Sequence, residues 1–185
     1  MNCKFELKSF DAGCKGEGDG NSDKLLIEYA VPSLLEGNME VPMLRNINPV
    51  ISPELLAALF RMGHGDEIVL ADAFFPGESF GKRVIRADGI GISSLLEGIL
   101  PLITLDSYVE NPLFMMQPAG NDELDMGIEA AYRAVVDKFW PETPPVLRVE
   151  RFKFYDQAKS AFAIVMTGEI RKYANIIVKK GVIDR

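Results

Sequence analysis

Ser52 to Pro76 reads SPELLAALFRMGHGDEIVLADAFFP, and this stretch decides the fold class. Ser52-Pro53-Glu54 combines a capping hydroxyl, a proline suited to the first helical position and an acid at the positive end of the helix dipole. Leu55, Leu56, Leu59 and Phe60 fall on one helical face, so the spacing predicts an amphipathic helix. Gly63 is expected to stop it in the left-handed conformation. Glu67 to Ala71 (EIVLA) then predicts a short buried strand.

The same alternation continues outward. Arg83 to Ala87 (RVIRA) reads as a strand, and Ser93 or Ser94 opens an apolar helix through Leu95, Leu96, Ile99 and Leu102. Leu113 to Met116 reads as a strand. Asp122 to Phe139 is the strongest amphipathic helix, with Ile128, Ala131, Tyr132, Val135 and Val136 as its core stripe and Pro141, Pro144 and Pro145 ending it. Val146 to Val149 reads as a strand, Phe154 to Ala161 as a helix, and Phe162 to Thr167 and Ile176 to Lys179 as strands. Strands and helices alternating in this way define an α/β layered domain. No internal repeat is visible.

Composition narrows the function. The chain has 185 residues, 48% hydrophobic and 25% charged, enough for one domain with a sizeable core. Its formal charge of -7 would repel a phosphate backbone, which argues against a nucleic-acid partner. No apolar run reaches the ~18 residues of a membrane helix; the most apolar stretch, Ile92 to Leu105, is broken by Glu97 and Pro101. The two cysteines, Cys3 and Cys14, fit free thiols in a reducing compartment better than a disulfide framework or a zinc site. Residues 1–42 carry no secretory signal pattern, so a cytoplasmic location is expected.

One histidine is present in the whole chain. His64 follows a helix end and lies between two glycines, and imidazole is the side chain best suited to moving protons near neutral pH. Asp72 stands just after the EIVLA strand, and ligands collect beyond the carboxyl ends of strands in open α/β sheets. Arg151 is expected at the end of a strand, followed by Phe152, Phe154 and Tyr155. In Tyr173-Ala174-Asn175 the outer two residues, two apart in an extended segment, would share a side and pair a donor with an acceptor for hydroxyls. Gly89-Ile90-Gly91-Ile92-Ser93-Ser94 approaches a dinucleotide fingerprint, but its third glycine is replaced and only Asp106 or Glu110 could serve as the following acid. Glycine-assisted entry into a helix is the simpler reading.

Taken in order, SPELLAALFRMGHGDEIVLADAFFP (52–76), VIRADGIGISSLLEGILPL (84–102), LDSYVENP (105–112) and VERFKFYDQAKSAFAIVMTGEIRKYANIIVKKG (149–181) resemble the L-fucose branch of the D-ribose pyranase/L-fucose mutarotase family. The resemblance runs from about Met43 to the end. It implies a single three-layer α/β domain assembling into ring-shaped oligomers, commonly decamers, with sites near subunit boundaries. It also implies an isomerase that interconverts sugar anomers without metal or cofactor. Residue by residue, His64 matches the family's proton donor, and Asp72, Arg151, Tyr173, Ala174 and Asn175 match its sugar-contacting positions. Arg151 stands where the ribose branch has histidine, which favours L-fucose over D-ribose. Asp72, Tyr155 and an ordered water are the candidates for the base, with Asp88 as catalytic support. A non-catalytic sugar-binding protein is the rival from another class; it would keep the hydroxyl ligands and have no use for the imidazole.

Residues 1–42 have no counterpart in that resemblance. Asp11 to Lys24 is rich in Gly, Asp and Ser and reads as a flexible extension to a domain spanning 43–185. Glu36-Gly37 would be encoded by a purine-rich, ribosome-binding-like string just ahead of Met39. Translation is therefore expected to start at Met39 or Met43, and mass spectrometry of the natively expressed protein is expected to lack a Met1 peptide.

Overall fold

Ile68 and Leu70 face one side of a sheet while Val69 and Ala71 face the other, and all four are fully buried. A strand apolar on both faces must be covered on both, which places it at the centre of a layered α/β structure. In the computed structural model, which describes residues 44–183 apart from 121 and 124, helices supply that cover on each side. The expectations for residues 1–42, including Cys3 and Cys14, lie outside the described residues.

The elements run α1 (Pro53–Arg61), β1 (Glu67–Ala71), α2 (Gly77–Phe80), β2 (Val84–Ala87), α3 (Ile92–Ile99), β3 (Leu113–Met116), α4 (Met126–Phe139), β4 (Leu147–Val149), α5 (Arg151–Ser160), β5 (Ala163–Thr167) and β6 (Ile176–Lys179). Six strands form one sheet in the order β2-β5-β1-β6-β3-β4. β6 pairs antiparallel with both β1 and β3, whereas the β1–β5, β2–β5 and β3–β4 pairs are parallel. Five strands therefore point one way, and β6 runs back between them.

α1, α3 and α4 pack on one face through Leu55, Leu59, Leu95, Leu96, Ile99, Tyr132 and Val136. α5 and α2 cover the other through Phe154, Ala158 and Phe80. The domain thus has three layers, as expected. Each large side chain buried in this way contributes about 1.5–3 kcal/mol.

The helix boundaries follow local chemistry. Ser52 Oγ accepts the Leu55 N–H at 3.1 Å, with Pro53 in the first turn. Asp125 caps α4 by accepting from Gly127 N–H at 2.9 Å, so this helix starts four residues later than Asp122. Glu150 accepts the N–H groups of Phe152 and Lys153, which begins α5 at Arg151 rather than Phe154. Arg151 is accordingly the first helical residue and not the end of a strand.

Three further expectations change. Ala58 is buried with Leu55 and Leu59, while Phe60 is 89% exposed, because α1 turns its bulky aromatic outward. The left-handed residue after α1 is Gly65, at φ 82°, and not Gly63; the helix ends at Met62 in extended backbone. Residues 77–80 form the short helix α2, which the sequence pattern does not announce. Among the described residues no helix is long and apolar enough to cross a membrane.

Gly168 and Gly89 test the packing against each other. A Cβ on Gly168 would lie 2.2 Å from the carbonyl oxygen of Asp88, whereas one on Gly89 would meet nothing within 4 Å. Gly168→Ala is expected to cost about 1–3 kcal/mol, through displaced backbone. Gly89→Ala is expected to be neutral or stabilising by up to about 1 kcal/mol. Urea midpoints at fixed protein concentration measure both.

Candidate functional site

The chain reverses at the carboxyl end of β1, and there Asp72 meets Asn175, which immediately precedes β6. Asp72 N–H donates to Asn175 Oδ1 at 2.8 Å, and Asn175 Nδ2 donates to Asp72 Oδ2 at 2.7 Å. Phe74 N–H donates to Asp72 Oδ1 at 3.0 Å. The carboxylate is 4% exposed and the amide 3%. Burial is the largest influence on Asp72 and pushes its pKa above the ordinary 3.8; the hydrogen bonds from Phe74 and Asn175 pull the other way.

A pocket of about 220 Å³ opens over this pair, lined among others by Asp72, Phe75, Arg151, Tyr155, Tyr173 and Asn175. It lies beyond the carboxyl ends of the parallel strands, where α/β sheets gather ligands. Arg151 enters from the first turn of α5. A cation at a helix N-terminus opposes the dipole, and among the described residues Arg151 has no ion-pair partner; its guanidinium lies 4.8 Å from the Phe152 ring. That leaves its donors for a ligand. Phe75 and Tyr155, edge-to-face at 5.7 Å, form an apolar wall.

Tyr173 sits at φ 60°, left-handed for a residue with a side chain. Such backbone concentrates at functional sites, where surrounding contacts hold it. Here its hydroxyl donates to Asp122 Oδ2 at 2.6 Å and accepts from Ala119 N–H at 3.3 Å. The bond to Asp122 raises the phenol's pKa, so the group stays a donor. Because residue 173 turns, the convergence of Tyr173 and Asn175 comes from this turn and not from the two-residue period of an extended segment. Ala174, expected to contact the ligand, is instead fully buried beneath the pocket's rim residues and does not line it, and its carbonyl is taken by Tyr132 Oη at 3.0 Å.

His64 stands elsewhere. It precedes β1, whereas Asp72 follows it, so the two lie at opposite ends of that five-residue interior strand. Its Nε2 is 3.2 Å from Asp106 Oδ1, and its ring lies 5.4 Å from that of Tyr108. Within one chain the structure brings together Asp72, Arg151, Tyr173 and Asn175, and does not bring His64 to them. Asp88 is also apart, exposed and paired with Arg86.

Three contributors escape the sequence reading. Asp122 and Lys172 line the pocket, the first also bonded to Tyr173 across fifty-one positions. Asp106, weighed only as an acid for the dinucleotide fingerprint, is the imidazole's partner at the edge opposite the glycines. Gly91 instead precedes α3 as its N-cap residue. No local signal links residues 64 and 106. Among the described residues no cluster of three His, Cys, Asp or Glu could hold a metal ion.

A carboxylate, a guanidinium, an amide and a phenol over an aromatic wall make a site for a small polyhydroxylated ligand with one apolar face. Residues 45–183 match the model of the RbsD / FucU transport protein family, and the chain belongs to it. The chain is 59% identical over 140 residues to an L-fucose mutarotase of Actinobacillus pleuropneumoniae serotype 5b (strain L20), which covers 76% of this chain and 97% of that protein. It is 54% identical over 140 residues to one of Haemophilus influenzae (strain 86-028NP), with 76% and 97% covered. The fold is similar to the fucose mutarotase of Streptococcus pneumoniae in complex with L-fucose, at TM-score 0.72 and 44% identity over 76% of this chain and 100% of that one. Bacillus subtilis RbsD complexed with D-ribose, at TM-score 0.52 and 21% identity over 72% and 95%, shares the fold.

Asp72 gives a titration with a defined sign. Native Asp72 holds its proton more tightly than the unfolded chain, so its contribution to stability falls as pH climbs from about 3.8 through its native midpoint. A carboxyl ¹³C titration is expected to place that midpoint above 3.8. Asn175→Ala, which removes a bond that favours the ionised form, is expected to move it higher still.

Proposed function

We propose that the domain spanning 43–185 is an L-fucose mutarotase, interconverting the α and β anomers by ring opening and closure in a cytoplasmic ring-shaped oligomer, a decamer in the family's common form. The observation that carries this reading is the cluster of Asp72, Asn175, Arg151 and Tyr173 over one pocket, in a chain most of whose length matches L-fucose mutarotases at more than half identity. Asp72 and Asn175 accept from and donate to sugar hydroxyls. Arg151 adds charge-assisted bonds, and Tyr173 completes the ring of contacts. Phe75 and Tyr155 meet the apolar face.

His64 is the proton donor. The C1–O5 bond of the hemiacetal breaks as O5 takes a proton from the imidazolium, while the anomeric hydroxyl loses its own to a base in the pocket. The aldehyde rotates about C1–C2, and reclosure returns both protons. Since one chain separates His64 from Asp72 by the length of β1, the imidazole that acts on a bound sugar belongs to a neighbouring copy. That requirement is what supports an obligate oligomer.

Saturation-transfer NMR on L-fucose tests the assignment. The protein is expected to accelerate anomer exchange, and His64→Ala to lower kcat by about 10²–10⁴-fold while sugar binding persists. Arg151→Ala is expected to raise KM about 10–100-fold through loss of a charge-assisted bond. Oligomers reassembled from His64→Ala and Arg151→Ala chains together are expected to be more active than either parent. Binding without acceleration by the unaltered protein would favour a sugar-binding role.

A further inference from the structure

Asp106 is 3% exposed, and a carboxylate so buried needs partners. Its Oδ1 has two: Nε2 of His64 at 3.2 Å and the N–H of Tyr108 at 3.0 Å. One oxygen atom therefore sets the imidazole and the aromatic ring that packs on it at 58°. Asp66, the other acid near this loop, is engaged by the Gly63 N–H at 2.7 Å.

The backbone beneath both partners is stitched to the end of β6 and the two residues after it. Gly65 N–H donates to the Lys180 carbonyl at 2.8 Å and Lys180 N–H to the Asp66 carbonyl at 2.9 Å, tying the histidine loop to the strand end. Leu105 bridges Lys180, and Asp106 N–H donates to the Lys179 carbonyl at 3.2 Å. Lys180 Nζ closes α1 on the carbonyls of Leu59 and Met62. Gly181 lets these segments approach, since a Cβ there would lie 2.5 Å from the Leu105 carbonyl oxygen. Asp106 is thus held on rigid backbone, while the imidazole it bonds is 45% exposed.

We propose that Asp106 is the positioning residue for His64. Resting on the mutarotase reading, the inference is that its carboxylate accepts the Nε2–H, so that Nδ1 is the nitrogen presented to the sugar. The proton passes from Nδ1 to O5 as the C1–O5 electron pair moves to O5, and the neutral imidazole is left as the Nε2–H tautomer. Reclosure returns the proton to Nδ1. Asp106 keeps its charge throughout and touches no reacting atom.

Because the chain has one histidine, imidazole ¹⁵N spectra of the full protein report His64 alone. The neutral ring is expected to be the Nε2–H tautomer, and Asp106→Asn, which can still accept from Tyr108, is expected to raise the Nδ1–H share. In the same variant kcat for L-fucose exchange is expected to fall about 10–100-fold, part of the acid–base contribution, with KM within about twofold. A dominant Nδ1–H form in the unaltered protein overturns the proposal even if the variant does not fold. So does an Asp106→Asn protein with unchanged kcat, or one altered in KM alone. If the unaltered protein exchanges no anomers, the functional reading fails, and the tautomer still judges the Asp106–His64 bond separately.

Discussion

Everything functional in this domain depends on β6 running antiparallel between β1 and β3. Its register with β1, from Glu67 opposite Lys179 to Leu70 opposite Ile176, fixes both of its ends. At one end it delivers Asn175 to Asp72, and at the other it lays Lys180 against the loop of His64. A slip of one residue would turn the fully buried Ile176, Ile177 and Val178 to the wrong faces, so packing itself enforces the pairing. The placement of the hydroxyl-binding cluster and of the histidine loop thus comes from a four-residue strand whose first three side chains are buried on both faces of the sheet.

The cost of the arrangement is concentrated in Asp72. A buried carboxylate without a cationic partner loses hydration, and the hydrogen bonds from Asn175 and Phe74 restore only part of it. Arg151 has the matching charge but carries no ion pair among the described residues and stands against its own helix dipole. The buried carboxylate is expensive to fold, and the partly exposed guanidinium beside it is free to bond a ligand. Hydroxyl groups, able both to donate to the carboxylate and to accept from the guanidinium, relieve both at once. The left-handed Tyr173 adds backbone strain to the same place.

Elements set by short-range periodicity were legible in the chain. The helix opening at Ser52-Pro53, the strand EIVLA, the strand at Leu113 and the strand at Ile176 stand where the pattern puts them. Boundaries set by a single side chain were less so: Glu150 and Asp125 each cap a helix from a position the apolar stripe does not mark. Phe60 was misread because periodicity gives a face and not its width, and on α1 the small Ala58 takes the inward place. The candidate residues were legible as chemistry and as family motif, but their grouping was not. Sequence spacing puts the EIVLA strand between His64 and Asp72 but carries no record of which chain's imidazole faces which carboxylate.

That separation has a functional consequence under the proposed reading. Opening a hemiacetal already proceeds in water, so the catalyst needs only a placed proton and a held sugar, on the scale of ~10²–10⁴-fold. A fold that grips the sugar at one end of its strands and carries the imidazole at the other cannot combine them alone. Head-to-tail contact, in which one strand-end face meets the opposite face of the next copy, is the heterologous kind that closes into a ring when its rotation allows. In the proposed ring each copy would donate a proton source to one neighbour and receive one from the other. Assembly and catalysis would then be coupled, and whatever stabilised the contact between copies would stabilise the active arrangement directly.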